Sequence, residues 1–274
     1  MSSTRAEPRA RFRDLVAAEW IKLWSLRSTF WVLGVGALVV LSINVNSADS
    51  NRRFQSKQTS PPDPDRMFDP MATAFVDPAY SILIIVAGSV GALFVFGEYT
   101  SGLIRTTFAA VPGRCAVMAA KVAVVAPVML ALGACVSAAS FGVTQAVLRE
   151  HGGLSIGDPG ALRAVVASAL LAPLSALVGM AIGAVLRHAA STVVGLVGVL
   201  LLLPMLLRGD RYRWVAELGN AMPVTAWEVL VRNPAVDYDL GRYPGSATEA
   251  WAVFAVWPLA AVVVVLAVVH RRDV

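Results

Sequence analysis

The sequence predicts an all-α integral membrane protein with six transmembrane helices. Of its 274 residues, 57% are hydrophobic and 15% are charged, whereas an ordinary soluble domain has about 25% charged residues. Six apolar segments reach, or nearly reach, the roughly 20 residues that a bilayer-spanning helix requires. We therefore interpret residues 1–274 as a single transmembrane domain whose apolar surface is largely covered by lipid.

The six predicted spans follow from the positions of these apolar segments. They are residues 30–46, 79–97, 116–148, 161–186, 189–207 and 251–270. The third is too long for one straight span, so it either continues past the bilayer or bends near Pro127. Residues 1–28 are too polar and too long for the charged start of a signal peptide, so the first apolar segment is interpreted as a retained helix.

The basic residues predict the orientation of the chain. With six spans both termini lie on one side, together with the short turns at 98–115 and 187–188, which are almost purely basic like the tail. The positive-inside rule then places both termini in the cytoplasm. Arginine outnumbers lysine 20 to 3, a bias typical of high-GC bacteria, so the predicted location is the bacterial cytoplasmic membrane.

Composition and residue placement argue against several classes of function. The net charge of +5 is explained by basic residues at helix ends, and no basic stripe interleaved with aromatics suggests nucleic-acid binding. No acidic residue falls within a predicted hydrophobic core, which argues against a proton-coupled transporter. No metal-binding or catalytic motif is found, so neither a cofactor nor enzymatic activity is expected for this chain.

Two long segments are predicted on the external side. Residues 47–78 are rich in Ser, Pro and Asp and are interpreted as a flexible or irregular loop. Residues 208–249 contain two short apolar patches, 214–218 and 224–231, separated by Met222-Pro223. These patches suit interfacial or re-entrant helices, and a folded external loop that packs on the helix ends is an equal alternative.

The N-terminal residues 11–28 have the spacing of an amphipathic helix. The apolar positions are Phe12, Leu15, Val16, Trp20, Leu23 and Leu26. Glu19 falls inside this apolar arc and needs a partner, for which Lys22, three residues later, is the nearest candidate. A basic helix of this kind is expected to lie on the cytoplasmic membrane surface, to pack on a partner protein, or to do both.

A polar segment after the second span carries the most information. It contains Glu98-Tyr99-Thr100-Ser101-Gly102 and then Arg105, followed by Pro112-Gly113-Arg114. This pattern predicts a short helix outside the membrane that Thr100 or Ser101 caps and that ends at Pro-Gly. Glu98 near its start would favour the helix dipole, and Glu98 and Arg105 would share a face.

At these residues the chain resembles the permease subunits of ABC-2 type ABC transporters. The run from Glu98 to Arg105 is similar to the family's E-[YF]-x-x-G-T-x-R motif, with Leu103 in place of threonine, and Pro112-x-Arg114 follows it. A second stretch, from Glu19-Trp20-x-Lys22 to Arg27-Ser28, is similar to the E-x-x-K-L-[RW]-S-L-R-S sequence of bacterial members. The order of the six spans extends the resemblance over nearly the whole chain.

The resemblance implies a role for each of these segments. Residues 98–110 would be a cytoplasmic coupling helix that rests on a separate ATPase subunit, and residues 11–28 would be the connecting helix beside it. Two permease chains, identical or different, would pair around the pathway. The implied coupling residues are Glu98, Tyr99, Thr100, Ser101, Gly102, Arg105 and Arg114. The implied residues of the connecting helix are Glu19, Trp20, Lys22 and Arg27.

The chain contains no sequence that could form a P-loop. None of its three lysines, Lys22, Lys57 and Lys121, follows a glycine, as the G-x-x-x-x-G-K-[ST] motif requires. As a permease the chain would therefore depend on a partner ATPase to export its substrate, and nothing in the sequence chooses among drugs, antibiotics, peptides and lipids. The alternative function is a membrane scaffold or sensor that shares the permease fold without transporting.

Small and mildly polar residues within the spans predict helix packing. Ser175, Gly179 and Gly183 form a small-xxx-small ladder, which indicates close packing within the chain or across a dimer. Polar residues such as Asn44 and Ser168 are interpreted first as helix–helix hydrogen bonds and second as pathway lining. Cys115 and Cys135 are too far apart along one helix for a disulfide and are interpreted as small packing residues.

Overall fold

The described chain folds into a helical bundle that contains six candidate membrane spans. The structure, a computed structural model, describes residues 11–25, 27–57, 68–103, 106–107, 113–209 and 211–271. Over these ranges the chain forms helices and turns without a strand. The helices are α1 Phe12–Ser25, α2 Arg27–Lys57, α3 Pro70–Ala74, α4 Asp77–Thr100, α5 Arg114–Val147, α6 Ala161–Leu186, α7 Ala189–Leu206, α8 Arg213–Asn220, α9 Pro223–Val231 and α10 Ala247–Arg271.

Among the described residues, six helices are long and apolar enough to cross a membrane, and they agree with the six predicted spans. They are α2, α4 together with α3, α5, α6, α7 and α10. α5 has 34 residues and remains a single helix through Pro127. At 1.5 Å per residue it is about 51 Å long, so it extends well beyond the roughly 30 Å of a hydrocarbon core.

α6 is the central helix of the bundle. It packs against α4, α5, α9 and α10, and most of its residues are buried. No charged residue interrupts it between Arg163 and Arg187, so it is apolar on all sides, as expected for a buried helix. α7 completes the bundle and contains one π-helical turn, Gly198–Leu202.

The prediction of an irregular loop over residues 47–78 is wrong for much of that segment. α2 continues to Lys57 because Asp49 pairs with Arg52 at 2.8 Å and with Arg53 at 2.7 Å, three and four residues further along the helix. Residues 70–74 form α3, whose first turn is capped by Asp69. Residues 58–67 lie outside the described part of the chain.

The second segment predicted to be external, residues 208–249, contains two helices in its described part. Its two apolar patches form α8 and α9, and α9 packs against α6 and α10. Arg163, in the first turn of α6, donates to the carbonyl oxygens of Leu230 and Arg232. These bonds satisfy backbone oxygens at the C-terminal end of α9, which the helix itself leaves without partners.

A second contact fixes the chain beyond α9 to the start of α3. Asp69 accepts hydrogen bonds from Asn233 and from the Tyr238 hydroxyl while it caps Met71. Burial, together with the hydrogen bond to Asp69, raises the pKa of Tyr238 to about 12. The phenol is therefore neutral and remains a donor at neutral pH.

Two predictions about small polar residues have clear outcomes. Asn44 donates to Ser140 at 2.9 Å, and Ser168 accepts from the indole of Trp227 at 2.9 Å, so both residues join separate helices as first interpreted. Cys115 and Cys135 form no disulfide, and both are exposed. Because they lie on the outer surface of α5, the prediction that they pack within the protein is wrong.

Trp227 provides a test of how firmly α9 is held. Its side chain is 1% exposed and stacks on Tyr80 with ring centroids 4.9 Å apart. Trp227→Phe retains an aromatic ring but leaves Ser168 without its donor, so we expect a loss of about 1–3 kcal/mol in the free energy of unfolding. Thermal unfolding of the purified protein in lipid nanodiscs measures it, with the exposed Trp214→Phe as the matched control. An equal shift for both variants would contradict the role assigned to Trp227.

Candidate functional site

Four charged side chains from three helices meet at one end of the bundle. Glu19 and Lys22 come from α1, Glu98 from the last turn of α4, and Lys121 from the second turn of α5. We refer to these four residues as the charged cluster. Two of the chain's three lysines belong to it.

The charged cluster is held by four short contacts. Lys22 Nζ lies 2.7 Å from Glu19 Oε1 and 2.9 Å from Glu98 Oε1. Lys121 Nζ lies 2.6 Å from Glu19 Oε2 and 2.7 Å from Glu98 Oε1. Each lysine therefore bridges both carboxylates, and the four formal charges cancel. The predicted contact between Glu19 and Lys22 is present.

Most of the charged cluster is removed from water. Lys121 is fully buried, Glu19 is 2% exposed and Glu98 is 8% exposed, whereas the Lys22 side chain is 38% exposed. Burial alone would lower the pKa of Lys22, but the contacts with Glu19 and Glu98 outweigh burial and raise it above its usual value. Lys22 is thus fully protonated at neutral pH.

The local structure around Glu98 differs from the predicted coupling helix over residues 98–110. α4 does not stop at Gly97 but continues to Thr100, and it ends where Gly102 adopts a left-handed backbone conformation with φ 74°. Glu98 therefore lies at the C-terminal end of a helix, where the helix dipole disfavours a carboxylate. The two lysines of the charged cluster compensate for this position.

The remaining residues of the predicted coupling segment have different surroundings. The hydroxyls of Thr100 and Ser101 donate to the carbonyl oxygen of Gly97, so they satisfy the end of α4 instead of capping a new helix. Both are exposed, as is Gly102. Residues 106–107 are helical, but 104–105 and 108–112, which include Arg105, lie outside the described residues.

Tyr99 and Arg114 also lie at this end of the bundle. The guanidinium of Arg187, in the turn between α6 and α7, stacks over the Tyr99 ring at 4.4 Å, a favourable cation–π arrangement. Arg187 has a positive φ of 53° and ends α6. Arg114 is half-buried and opens α5. The C-terminal end of α4 and the turn at Arg187 are thereby brought together.

The residues of the predicted connecting helix divide between a buried face and an exposed face. Glu19 and Leu23 are the buried residues of α1, while Phe12 and Trp20 are about half exposed. The buried part of the predicted apolar arc thus includes the carboxylate of Glu19, which is tolerated because Lys121 lies 2.6 Å from it. The Arg27 side chain lies outside the described atoms.

An amphipathic cavity of about 330 Å³ adjoins the charged cluster. We define it by three polar residues, Lys22, Glu98 and Ser101, and three apolar residues, Val90, Leu93 and Phe94. Phe94 also lies under the ammonium of Lys121, at 4.6 Å. The cavity therefore has a charged end beside α1 and an apolar flank along the spanning part of α4.

The small-residue ladder lies against α4 within this chain. A Cβ atom added at Gly179 would lie 2.0 Å from the carbonyl oxygen of Gly88, and one added at Gly183 would lie 2.9 Å from that of Ala92. Ser175 is buried and donates to the carbonyl oxygen of Leu171 in its own helix. The sequence left open whether this ladder packs within the chain or across a dimer. In the structure the ladder of α6 packs within the chain, against α4.

Lys121 is the site residue that sequence reasoning missed. From the sequence it was assigned no role in a site, although a lysine inside an otherwise apolar segment is costly and requires a partner. That cost was the available signal. Among the described residues no group of three His, Cys, Asp or Glu side chains could hold a metal ion.

Compared with known proteins, the chain matches no protein-family model and no curated protein at a significant level.

Proposed function

We propose that this chain is the membrane subunit of an ATP-driven exporter of the ABC-2 type. A separate ATPase would hydrolyse ATP and two permease chains would frame the pathway in the bacterial cytoplasmic membrane. The six candidate spans support the membrane part of this proposal. The exported substrate, such as a drug, an antibiotic, a peptide or a lipid, is left open.

One observation carries the proposal: the two stretches that resemble the family meet in space. Glu19 and Lys22 belong to the first stretch, Glu98 belongs to the second, and they share the charged cluster. The stretches are 76 residues apart when measured from Lys22 to Glu98. Two motifs that a permease would use at one partner contact are therefore joined by direct ion pairs.

The charged cluster gives a physical means of transmitting a displacement. Leaving one charge of a buried ion pair without its partner costs about 3–5 kcal/mol. A partner that pushes on residues 98–103 would therefore move α1 and the start of α5 together with the end of α4, because separating them would expose Glu19, Glu98 and Lys121 as unpaired charges. The ATP-driven movement would reach three helices at once.

Leu103 tests this proposal because it is exposed beside the charged cluster but does not belong to it. We expect the chain, tagged and purified from the membranes of its own cells, to copurify with an ABC-type ATPase subunit and to change the rate at which that ATPase hydrolyses ATP in reconstituted vesicles. Leu103→Glu places a charge on the proposed contact and should reduce ATPase retention at least about tenfold, equivalent to 1.4 kcal/mol.

Leu240→Glu is the matched control, since Leu240 is similarly exposed but lies outside the proposed contact with the ATPase. It is two residues from Tyr238, which donates to Asp69. This variant should leave ATPase retention unchanged. Absence of copurification for the unmodified chain, or equal retention by the two variants, would refute the proposal. An ATPase that binds without any change in hydrolysis would replace it with the scaffold function.

A further inference from the structure

Glu98, which lines the charged end of the amphipathic cavity, has one carboxylate oxygen that accepts no hydrogen bond. Glu98 directs Oε1 to both lysines, but its Oε2 atom is buried without a hydrogen-bond partner. The residue is more than nine-tenths buried and lines the cavity. A buried carboxylate oxygen without a donor is costly, so a ligand that supplies an N–H group here would be stabilised.

Lys22 supplies the complementary group at the same end. An ammonium has three N–H donors, and Lys22 uses two of them on Glu19 and Glu98. Its side chain is 38% exposed and lines the cavity. The third donor is thus available to an anionic group that approaches through the opening of the cavity.

The net charge of the cluster and the apolar flank restrict the class of ligand. Because the two lysines and two glutamates cancel, a ligand with a net charge would gain little from the charged cluster as a whole. A zwitterion matches it, with its cation at Glu98 and its anion at Lys22. Val90, Leu93 and Phe94 continue from this end along a candidate span and offer a surface for hydrocarbon.

We propose that the amphipathic cavity binds the head group of a phospholipid that carries a primary amine, such as phosphatidylethanolamine. The lipid ammonium donates to Glu98 Oε2, the phosphate accepts from Lys22 Nζ, and an acyl chain lies along Val90, Leu93 and Phe94 of α4. A cavity of about 330 Å³ lies at the lower end of the usual range for small-molecule sites. The proposal does not depend on a partner ATPase or on transport.

Two lipids that differ only at the nitrogen test this assignment. Phosphatidylethanolamine and phosphatidylcholine with the same acyl chains are both zwitterionic, but the trimethylated nitrogen of the second has no N–H to donate. In nanodiscs that contain equal amounts of both, native mass spectrometry of the released protein should show at least about a tenfold excess of bound phosphatidylethanolamine, as expected for one charge-assisted hydrogen bond. Phosphatidylglycerol, an anionic lipid without an amine, should not displace it.

Two variants test whether the lipid preference depends on the cavity itself and not on the stability of the fold. Glu98→Gln replaces the carboxylate that contains the acceptor Oε2 by an amide. This variant should abolish the preference for phosphatidylethanolamine over phosphatidylcholine. Gly97→Leu leaves all four charged residues intact and fills the cavity that Gly97 lines, since a Cβ there meets only Leu93 Cδ1 at 3.7 Å. It should abolish the preference as well, whereas Gly142→Leu, at a helical glycine with no atom within 4 Å, should retain it.

Equal binding of the two zwitterionic lipids by the unmodified protein would overturn the assignment of Glu98 Oε2. Displacement by phosphatidylglycerol would also overturn it, because Lys22 would then act as a simple phosphate contact. Retention of the preference by Gly97→Leu, with its unfolding temperature unchanged, would show that the lipid binds elsewhere.

Discussion

Lys121→Met is expected to destabilise the protein by about 3–5 kcal/mol, the usual cost of removing one partner from a buried ion pair. Methionine fills a similar volume, so the loss arises mainly from charge. Without Lys121, Glu19 loses its 2.6 Å contact and Glu98 loses its 2.7 Å contact. Both carboxylates then depend on Lys22, which is partly exposed. The apparent unfolding temperature in lipid nanodiscs is the measurement.

Two comparisons isolate the charge effect of Lys121. Lys57→Met removes a lysine at the exposed end of α2 and should change the free energy of unfolding by less than about 0.5 kcal/mol. The double variant Glu19→Gln with Lys121→Met restores neutrality and should recover a large part of the loss, since one carboxylate and one ammonium remain paired. Equal effects of Lys121→Met and Lys57→Met would show that the charged cluster does not stabilise the fold.

Gly179→Ala is expected to destabilise the bundle by about 1–3 kcal/mol or more, because the added methyl group overpacks the contact between α4 and α6. Its Cβ would lie 2.0 Å from the carbonyl oxygen of Gly88 and 2.8 Å from the carbonyl carbon. Both atoms belong to backbone, so the clash is relieved only when the two helices move apart. The free energy of unfolding in lipid measures the cost.

Gly142→Ala provides a control of the opposite sign. Gly142 lies inside α5 with no atom within 4 Å of an added Cβ, and replacing an interior helical glycine by alanine adds up to about 1 kcal/mol of helix propensity. The same propensity gain applies at Gly179, so a loss there must come from packing. A stabilising Gly179→Ala would contradict the close contact between α4 and α6.

Gly179→Ala and Lys121→Met test two different contacts that both involve α4. The contact through Gly88 and Gly179 sets how closely α4 approaches α6. The charged cluster sets how α1 joins the ends of α4 and α5. A change in the first contact alters the position of Glu98 at the end of α4 and therefore affects the second. We expect Gly179→Ala and Lys121→Met to deviate from additivity by about 0.5–3 kcal/mol if they are coupled through α4.

The sequence by itself determined the features that depend on local composition and spacing. The six spans follow from hydropathy summed over about 20 residues, and the described residues contain six helices of that kind. The contact between Glu19 and Lys22 follows from a separation of three residues on one helix. The extension of α2 past residue 46 was missed because Asp49, Arg52 and Arg53 appear polar and loop-like, although at their spacing the charges stabilise another helical turn.

Only the tertiary structure decided which distant residues meet. Lys121 and Glu19 are 102 residues apart, and their contact depends on the rotation and depth of α1 against α5, which no local period specifies. The same holds for Gly179 and Gly88, whose facing backbones show that the ladder packs within the chain. The packing of these helices also decides which oxygen of Glu98 has no donor. Both lysines approach Oε1, so Oε2 is left without a hydrogen bond.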